Sequence, residues 1–405
     1  MLNEIKKETL NQCAKCSTCT ANCPVVKVHP DFPGPKAVGP DWLRLSLNGE
    51  TKKEFPEGIE YCSNCKNCEI ACPSGVPVAS LNQLTRAKKL KKERFRLREK
   101  LFANPRFLGK IAVIFAPLVN FFTRVKLFRQ MGKSLFGFSA NLPFPAYASK
   151  SFSSWFGNFK QKATEPKNKV IYFPGCFTEY NKPQVGEALV KILNHLNYEV
   201  IVPEFKCCGQ PAIGNGRLDD AKQFAHFNLS QLKKYAKDGT PVLFSCPSCL
   251  LTFKEEYVNL LGIEEALEFV PYLYEAGEFL AEHLEVTKLL ADEKIAGKYA
   301  YHEPCHLKAA GVGTPGLSLL NEVAVNKVVP LDAGCCGLSG SYGLKAEKEP
   351  VTEAIGQNLQ KAINRNNPEA LITECGMCGV QLNNVSGLPV FHPLELLAEK
   401  IVKER

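Results

Sequence analysis

The sequence predicts an α+β multidomain chain, a cysteine-rich N-terminal domain followed by a tandem repeat of parallel α/β cysteine-rich domains, on three observations. Two dense cysteine runs fall before residue 90, a five-cysteine pattern is written twice after residue 169, and each copy alternates short β-type runs with longer helical ones. The expected boundaries are 1–90 for the first domain, 91–168 for a basic amphipathic segment and linker, and 169–288 and 289–405 for the two repeats. With 405 residues, 45% of them apolar and 22% charged, the chain has material for two or three cores.

The first domain carries Cys13-x-x-Cys16-x-x-Cys19-x-x-x-Cys23-Pro24 and Cys62-x-x-Cys65-x-x-Cys68-x-x-x-Cys72-Pro73. Three thiolates at this spacing wrap one cubane iron–sulfur cluster, and in two-cluster ferredoxins the fourth cysteine reaches the other cluster. One [4Fe-4S] cubane is therefore expected on Cys13, Cys16, Cys19 and Cys72, and a second on Cys62, Cys65, Cys68 and Cys23. Zinc is disfavoured, because zinc ribbons hold their Cys-x-x-Cys pairs roughly 12 to 20 residues apart. Between the runs, Phe32-Pro33-Gly34-Pro35-Lys36 and Gly39-Pro40-Asp41 read as a turn-rich connector barred from helix by its prolines and glycines. The 18 cysteines, in such blocks and with no secretory pattern after Met1, point to metal ligation in the cytoplasm and not to disulfides.

Residues 86–133 hold 15 Lys or Arg against Glu93 and Glu99, a local charge of +13 in a chain of net charge +9. Phe102, Phe107, Ile111, Ile114, Phe115, Leu118, Phe121 and Phe122 interleave with these charges, the composition of an in-plane anchor on an anionic membrane surface. The competing expectation is a solvated helical face whose apolar side lies in the core. Nucleic acid is not an expected partner, since no reader motif accompanies the charge. The apolar run 111–122 is 12 residues, short of the roughly 20 a spanning helix needs. Residues 134–168 read as linker.

In the repeats, Cys176, Cys207-Cys208-Gly209 and Cys246-Pro247-Ser248-Cys249 are answered by Cys305, Cys335-Cys336-Gly337 and Cys375-Gly376-Met377-Cys378. The lone cysteine precedes the pair by 31 and 30 residues, and the pair precedes the final motif by 38 and 39. The flanks repeat too. Val170-Ile171-Tyr172-Phe173-Pro174-Gly175-Cys176 answers Tyr299-Ala300-Tyr301-His302-Glu303-Pro304-Cys305, and Pro271-Tyr272-Leu273-Tyr274-Glu275 pairs with His392-Pro393-Leu394-Glu395. Short β-type runs at 242–244 and 370–373 lead into cysteines, and helical spacing covers 185–196 and 351–363. Parallel sheets open their ligand crevice at the carboxyl ends of the strands, so five thiolates converge there, one more than a tetrahedral zinc site uses. Gly209 and Gly337 are expected at positive φ. Gly311-Val312-Gly313-Thr314-Pro315-Gly316 matches a dinucleotide fingerprint by letter but follows a cysteine and not a strand, so it reads as a turn into a helix. No nucleotide and no haem is expected.

These residues resemble the tandem cysteine-cysteine-glycine (CCG) family, which includes heterodisulfide reductases and the iron–sulfur subunits of succinate, glycolate and lactate oxidation. With the connector, Tyr61-Cys62-Ser63-Asn64-Cys65-Lys66 and Phe115-Ala116-Pro117-Leu118-Val119-Asn120, the likeness runs almost end to end to the C subunits of anaerobic glycerol-3-phosphate dehydrogenases. The resemblance implies an α-helical ferredoxin-like domain over 1–90. It also implies one or two further, non-cubane [4Fe-4S] clusters, on Cys176, Cys207, Cys208, Cys246 and Cys249 and on Cys305, Cys335, Cys336, Cys375 and Cys378. The implied role is an iron–sulfur electron-transfer subunit of an anaerobic respiratory dehydrogenase, peripheral on the inner face of the cell membrane. It would take electrons from a flavin-containing subunit, where the substrate is oxidised, and pass them to menaquinone. A disulfide or heterodisulfide reductase, and a soluble adaptor to a peroxide-detoxifying iron protein, are the alternatives. His302 and His306 flank Cys305 and are expected either to deliver protons or to hydrogen-bond a cluster; His392 carries the same two readings.

Overall fold

A computed structural model describes residues 10–51, 54–93, 97–161, 168–236, 239–282 and 294–402. Among the described residues, the N-terminal domain is built from helices without a strand. Each cysteine run curls the same way. Lys15 and Ser17 flank Cys16 at φ 58° and 65°, and Asn64 and Lys66 flank Cys65 at φ 57° and 64°. A pair of non-glycine residues in the left-handed region is costly, and its recurrence in both runs marks a loop shaped for a ligand. Short helices Thr18–Ala21 and Asn67–Ile70 follow, and the long helix Val78–Lys92 lies beneath them.

The connector departs from expectation. Its residues 35–36 are helical, Ala37–Asp41 form a π-helical turn with Pro40 inside it, and Trp42–Leu47 continue as α-helix. The π-turn displaces the i→i−4 ladder where Pro40 has no N–H to give, so the proline bends the helix without ending it. Gly39 is there for contact and not for a turn: a Cβ at this position would fall 2.1 Å from Asn82 Oδ1 on the long helix.

The basic stretch splits in two. Its first half is tied down within the N-terminal domain and to the repeats: Arg86 is buried and donates to the Cys62 carbonyl, Lys89 pairs with Glu60, Lys91 with Asp219 of the first repeat, and Arg98 with Glu347 of the second. Arg94 and Arg96 lie outside the described residues. The second half forms the helices Pro105–Ile114, Ala116–Arg124 and Lys126–Phe136, the first two meeting at 107°. Among the described residues no single helix is long and apolar enough to cross a membrane. Phe107, Ile111, Ile114, Phe115, Leu118, Phe121, Leu127 and Leu135 are all exposed, Ile114 at 74%. Their apolar side is therefore not in the core. The expected linker is packed as well, since Phe152 is fully buried against Tyr172, and Glu349 accepts from Ser139 and Asn141.

The repeats form two four-stranded parallel sheets. The first contains β1 (Asn168–Phe173), β2 (Tyr198–Ile201), β3 (Val242–Phe244) and β4 (Leu273–Glu275), in the order β2-β1-β3-β4. The second contains β5 (Tyr299–Tyr301), β6 (Val329–Pro330), β7 (Ala370–Ile372) and β8 (Val390–Phe391), in the order β6-β5-β7-β8. One flank pairing is corrected by the topology. β4 and β8 each end at a helix N-cap with a full capping box, Glu275 with Glu278 and His392 with Glu395. Glu275 thus corresponds to His392 and not to Glu395. The two repeats share one core, where Leu189 and Leu193 join Leu320, Leu394 and Leu397. The N-terminal domain rests on the second repeat through Val25, Phe32 and Ile59 against Tyr342, Val351 and Ile355.

Candidate iron–sulfur centres

The structure sorts the eight N-terminal cysteines into two groups. Cys13 and Cys72 both act electrostatically on Cys19 and pack in one cluster with it, with Cys16 exposed on the same loop and its Sγ 3.2 Å from Thr18 Oγ1. Cys23, Cys62, Cys65 and Cys68 form the other group. Burial pushes the Cys23 thiol up to about 12, and burial followed by the charges of Cys62 and Cys65 pushes Cys68 well up. Thiols held together at that cost need a cation to become thiolates. Val76 N–H points at Cys72 Sγ at 3.3 Å, and the amides of Asn82 and Gln83 each lie 3.7 Å from Cys62 Sγ. Buried thiols, left-handed loops and N–H groups aimed at sulfur fit an iron–sulfur cluster in each group.

In each repeat the five thiols follow one line. In the first, Cys176 meets Cys207, which neighbours Cys208; Cys208 meets Cys249, and Cys249 meets Cys246. In the second, Cys305 meets Cys335, then come Cys336, Cys378 and Cys375, with the Cys336 and Cys378 sulfurs 3.3 Å apart. The lone cysteine and the Cys-x-x-Cys motif sit at helix N-termini directly after β1, β3, β5 and β7, where unpaired N–H groups and the helix dipole favour anionic sulfur. Gly209 and Gly337 take φ of 105° and 85°, as their place after the cysteine pair requires.

Spacing along the chain carries no sign of the junction between these sites. The Cys65 thiol lies against that of Cys335 and close to that of Cys305, so the second N-terminal group adjoins the second CCG site. His306 joins three ligand loops. Its Nε2 donates to the Asn64 carbonyl at 2.9 Å, which leaves Nδ1 to accept from Ser248 Oγ at 2.8 Å. Asn64 lies between Cys62 and Cys65, and Ser248 between Cys246 and Cys249. Lys66, 2% exposed, pairs with Glu69 at 3.0 Å and with Glu256 of the first repeat at 2.8 Å. Both ring nitrogens of His392 are likewise engaged, with Ser245 O and Leu394 N. Of the three histidines weighed as proton donors, only His302 keeps a ring nitrogen, Nε2, buried without a partner. His306 and His392 each bridge two partners through both ring nitrogens; a histidine before Pro393 at a strand end is the available sign of the second.

A cavity of about 270 Å³ lies between the repeats, lined by Cys246 of one site and Cys375 of the other. Phe177, Val185, Val390 and Phe391 supply its apolar wall, with Lys182 and His392 among its polar groups. Phe177 belongs to the helix Gly175–Tyr180, which carries Cys176, and the other end of that helix abuts the exposed apolar helices. A Cβ on Gly109 would come within 2.3 Å of the Tyr180 ring.

Two family models match this chain, a cysteine-rich CCG domain at residues 170–254 and 299–383 and a 4Fe-4S dicluster domain at 9–76. The chain is 33% identical to the C subunit of the anaerobic glycerol-3-phosphate dehydrogenase of Escherichia coli, covering 97% of this chain and 99% of that protein. It belongs to that family. It is also 26% identical to the glycolate oxidase iron-sulfur subunit of Escherichia coli, across 98% of this chain and 95% of that one. To the D subunit of the dihydromethanophenazine:CoB–CoM heterodisulfide reductase of Methanosarcina barkeri it is 23% identical, across 99% and 96%. Members of this family are iron–sulfur electron-transfer subunits of oxidoreductase complexes, and the chain carries the domains for that role.

Proposed function

We propose that this chain accepts electrons from a flavin-containing partner subunit of a glycerol-3-phosphate dehydrogenase and delivers them to a quinone at an anionic membrane surface. Cys13, Cys16, Cys19 and Cys72 would hold one [4Fe-4S] cubane and Cys62, Cys65, Cys68 and Cys23 the other. The two five-cysteine sets would hold further clusters. When bound, such clusters supply reversible one-electron storage, which turns a two-electron oxidation into single transfers. The observation that carries the reading is the contact of Cys65 with Cys335, because it supports an order in which electrons leave the N-terminal domain through the site of the second repeat.

Beyond that order, the cavity between Cys246 and Cys375 suits a planar, largely apolar acceptor, and its wall runs through Phe177 and Tyr180 to the exposed helices. Those helices present their apolar residues beside exposed Lys110, Arg124, Lys126 and Lys133, the pattern of an in-plane anchor. Protein purified without oxygen should carry about 16 iron atoms per chain if all four sites are filled. After reduction, a water-soluble menaquinone analogue should restore its absorbance near ~400 nm. Reoxidation by a disulfide and not by the quinone would move the chain to the disulfide reductases. Binding to vesicles should need anionic lipid and fall with salt, at about 1 kcal/mol per basic residue near the surface. Replacing Phe121 and Phe122 by Ser should release the protein even at low salt, since each inserted aromatic would contribute roughly 1.5 to 3 kcal/mol. A folded double variant that still floats with the vesicles would end the apolar anchor.

A further inference from the structure

The two CCG sites are alike in their thiols and unlike at one residue beside them. His302 ends the extended run at the carboxyl edge of β5, and its backbone N–H donates to Ile372 O at 2.9 Å, which fixes where the side chain starts. The residue is 2% exposed and its Nε2 has no hydrogen-bond partner. A ring nitrogen of His302 and the sulfurs of Cys336 and Cys378 all lie within 4.8 Å of one another. Buried polar groups in a stable fold are satisfied, so a buried imidazole nitrogen aimed at two thiols belongs to whatever those thiols hold.

The matching residue in the first repeat is Phe173, three residues before the lone cysteine in both copies. Phe173 packs among Phe205, Phe244 and Phe253. It offers an apolar edge and no donor.

We propose that His302 donates a hydrogen bond from Nε2 to a sulfur of the iron–sulfur group held at the second CCG site, so that the two sites differ in reduction potential. The inference deepens the functional reading and rests on it, since it requires iron at the second site. Five cysteines already supply the ligands, so His302 is surplus as a ligand and is left with a donor's role. A neutral imidazole carries one N–H, and Nε2 is the ring nitrogen left without a partner to present it to sulfur. A donor to sulfur stabilises the more negative, reduced state, and the potential of the second site rises relative to a site without one.

The test uses the full chain purified anaerobically, with iron counted first. His302→Phe copies the first repeat, and His302→Gln keeps an N–H close to the position of Nε2. Redox titration followed by electron paramagnetic resonance should show one midpoint falling in His302→Phe, the others unmoved, iron content retained, and the wild-type value kept in His302→Gln. Protein labelled with 15N-histidine should show a weak nitrogen coupling at that same cluster, absent from His302→Phe. Midpoints unchanged in His302→Phe overturn the proposal. Loss of iron from both variants also overturns it, because His302 would then be a ligand or a packing residue. A wild-type chain whose iron accounts for no cluster at Cys305, Cys335, Cys336, Cys375 and Cys378 removes the parent reading instead, before any variant is made.

Discussion

The first CCG site is wrapped in aromatic rings, and the second exchanges three of the equivalent neighbours for polar side chains, although both hang from equivalent strand ends. Around Cys207 and Cys208 stand Phe173, Phe205, Phe244, Phe253 and Tyr257. The second site has His302 where the first has Phe173, Thr373 where it has Phe244, and Glu374 where it has Ser245. The exchange also reaches the tyrosine beneath: Tyr172 bonds Ser245 Oγ at 2.7 Å, and Tyr301 bonds both carboxylate oxygens of Glu374 at 3.0 and 2.9 Å. Duplication kept what positions sulfur, namely strand ends, helix N-termini and a left-handed glycine. It freed what surrounds sulfur. Potential, proton content and neighbours are set in that freed layer.

The largest contrast should come from matched ligand changes. Cys207→Ser and Cys335→Ser remove equivalent thiols, and each should empty its own site, at about four iron atoms per chain. Only Cys335→Ser should also disturb the second N-terminal cluster, because only Cys335 meets Cys65. Iron analysis with spectra of the reduced proteins reads both effects. If the two variants perturb the N-terminal signals equally, the order of sites drawn from that contact is wrong.

The sequence disclosed the ligand sets and the parallel α/β repeats because thiol spacing and strand-end position are local facts. The residues touching across domains were not legible. Nothing in Cys65 or Cys335 marks them as a pair, and Lys66 finds Glu256 from 190 residues away in the chain. Local signals mislead in two places. Pro40 reads as a helix breaker, whereas a π-turn absorbs it; the charges of 86–98 suggest a free surface, whereas ion pairs within the N-terminal domain and with the repeats use several of them. The apolar residues of 105–136 are ambiguous by composition, and only the fold shows them uncovered.

A smaller effect attends the residues after the lone cysteines, Phe177 and His306. Each crosses to the other repeat's Cys-x-x-Cys loop: Phe177 fills the space that a Cβ on Gly376 would need, and His306 bonds Ser248. His306→Phe would make the copies alike, leaving Asn64 O and Ser248 Oγ without their partner at about 1 to 3 kcal/mol each. Thermal unfolding should shift down accordingly, and Ser248→Ala, which strands one nitrogen only, should cost about half as much. Equal stability of His306→Phe and wild type would show that the bridge carries no weight.

The smallest effect concerns the N-caps, where the copies hold Glu275 and His392. His392 meets the other repeat with a satisfied bond to Ser245 O, while Glu275 faces Glu374, two buried carboxylates repelling each other. Burial foremost, then the charge of Glu278, raises Glu275 from 4.5 to about 7, and backbone N–H groups of Gly277 and Glu278 hold it only partly down. A folded value above the unfolded one means the folded chain keeps a proton that the unfolded chain has released. The stability tied to Glu275 is therefore complete below pH 4.5, shrinks as pH climbs toward 7, and is gone above it, at about 1.4 kcal/mol for each unit of that window. Glu275→Gln cannot titrate, so its unfolding midpoint should match wild type near pH 5 and exceed it near pH 8, with Glu374 still accepting from Tyr301. Parallel pH profiles for the two proteins would mean that the carboxylates do not share a buried site as placed here.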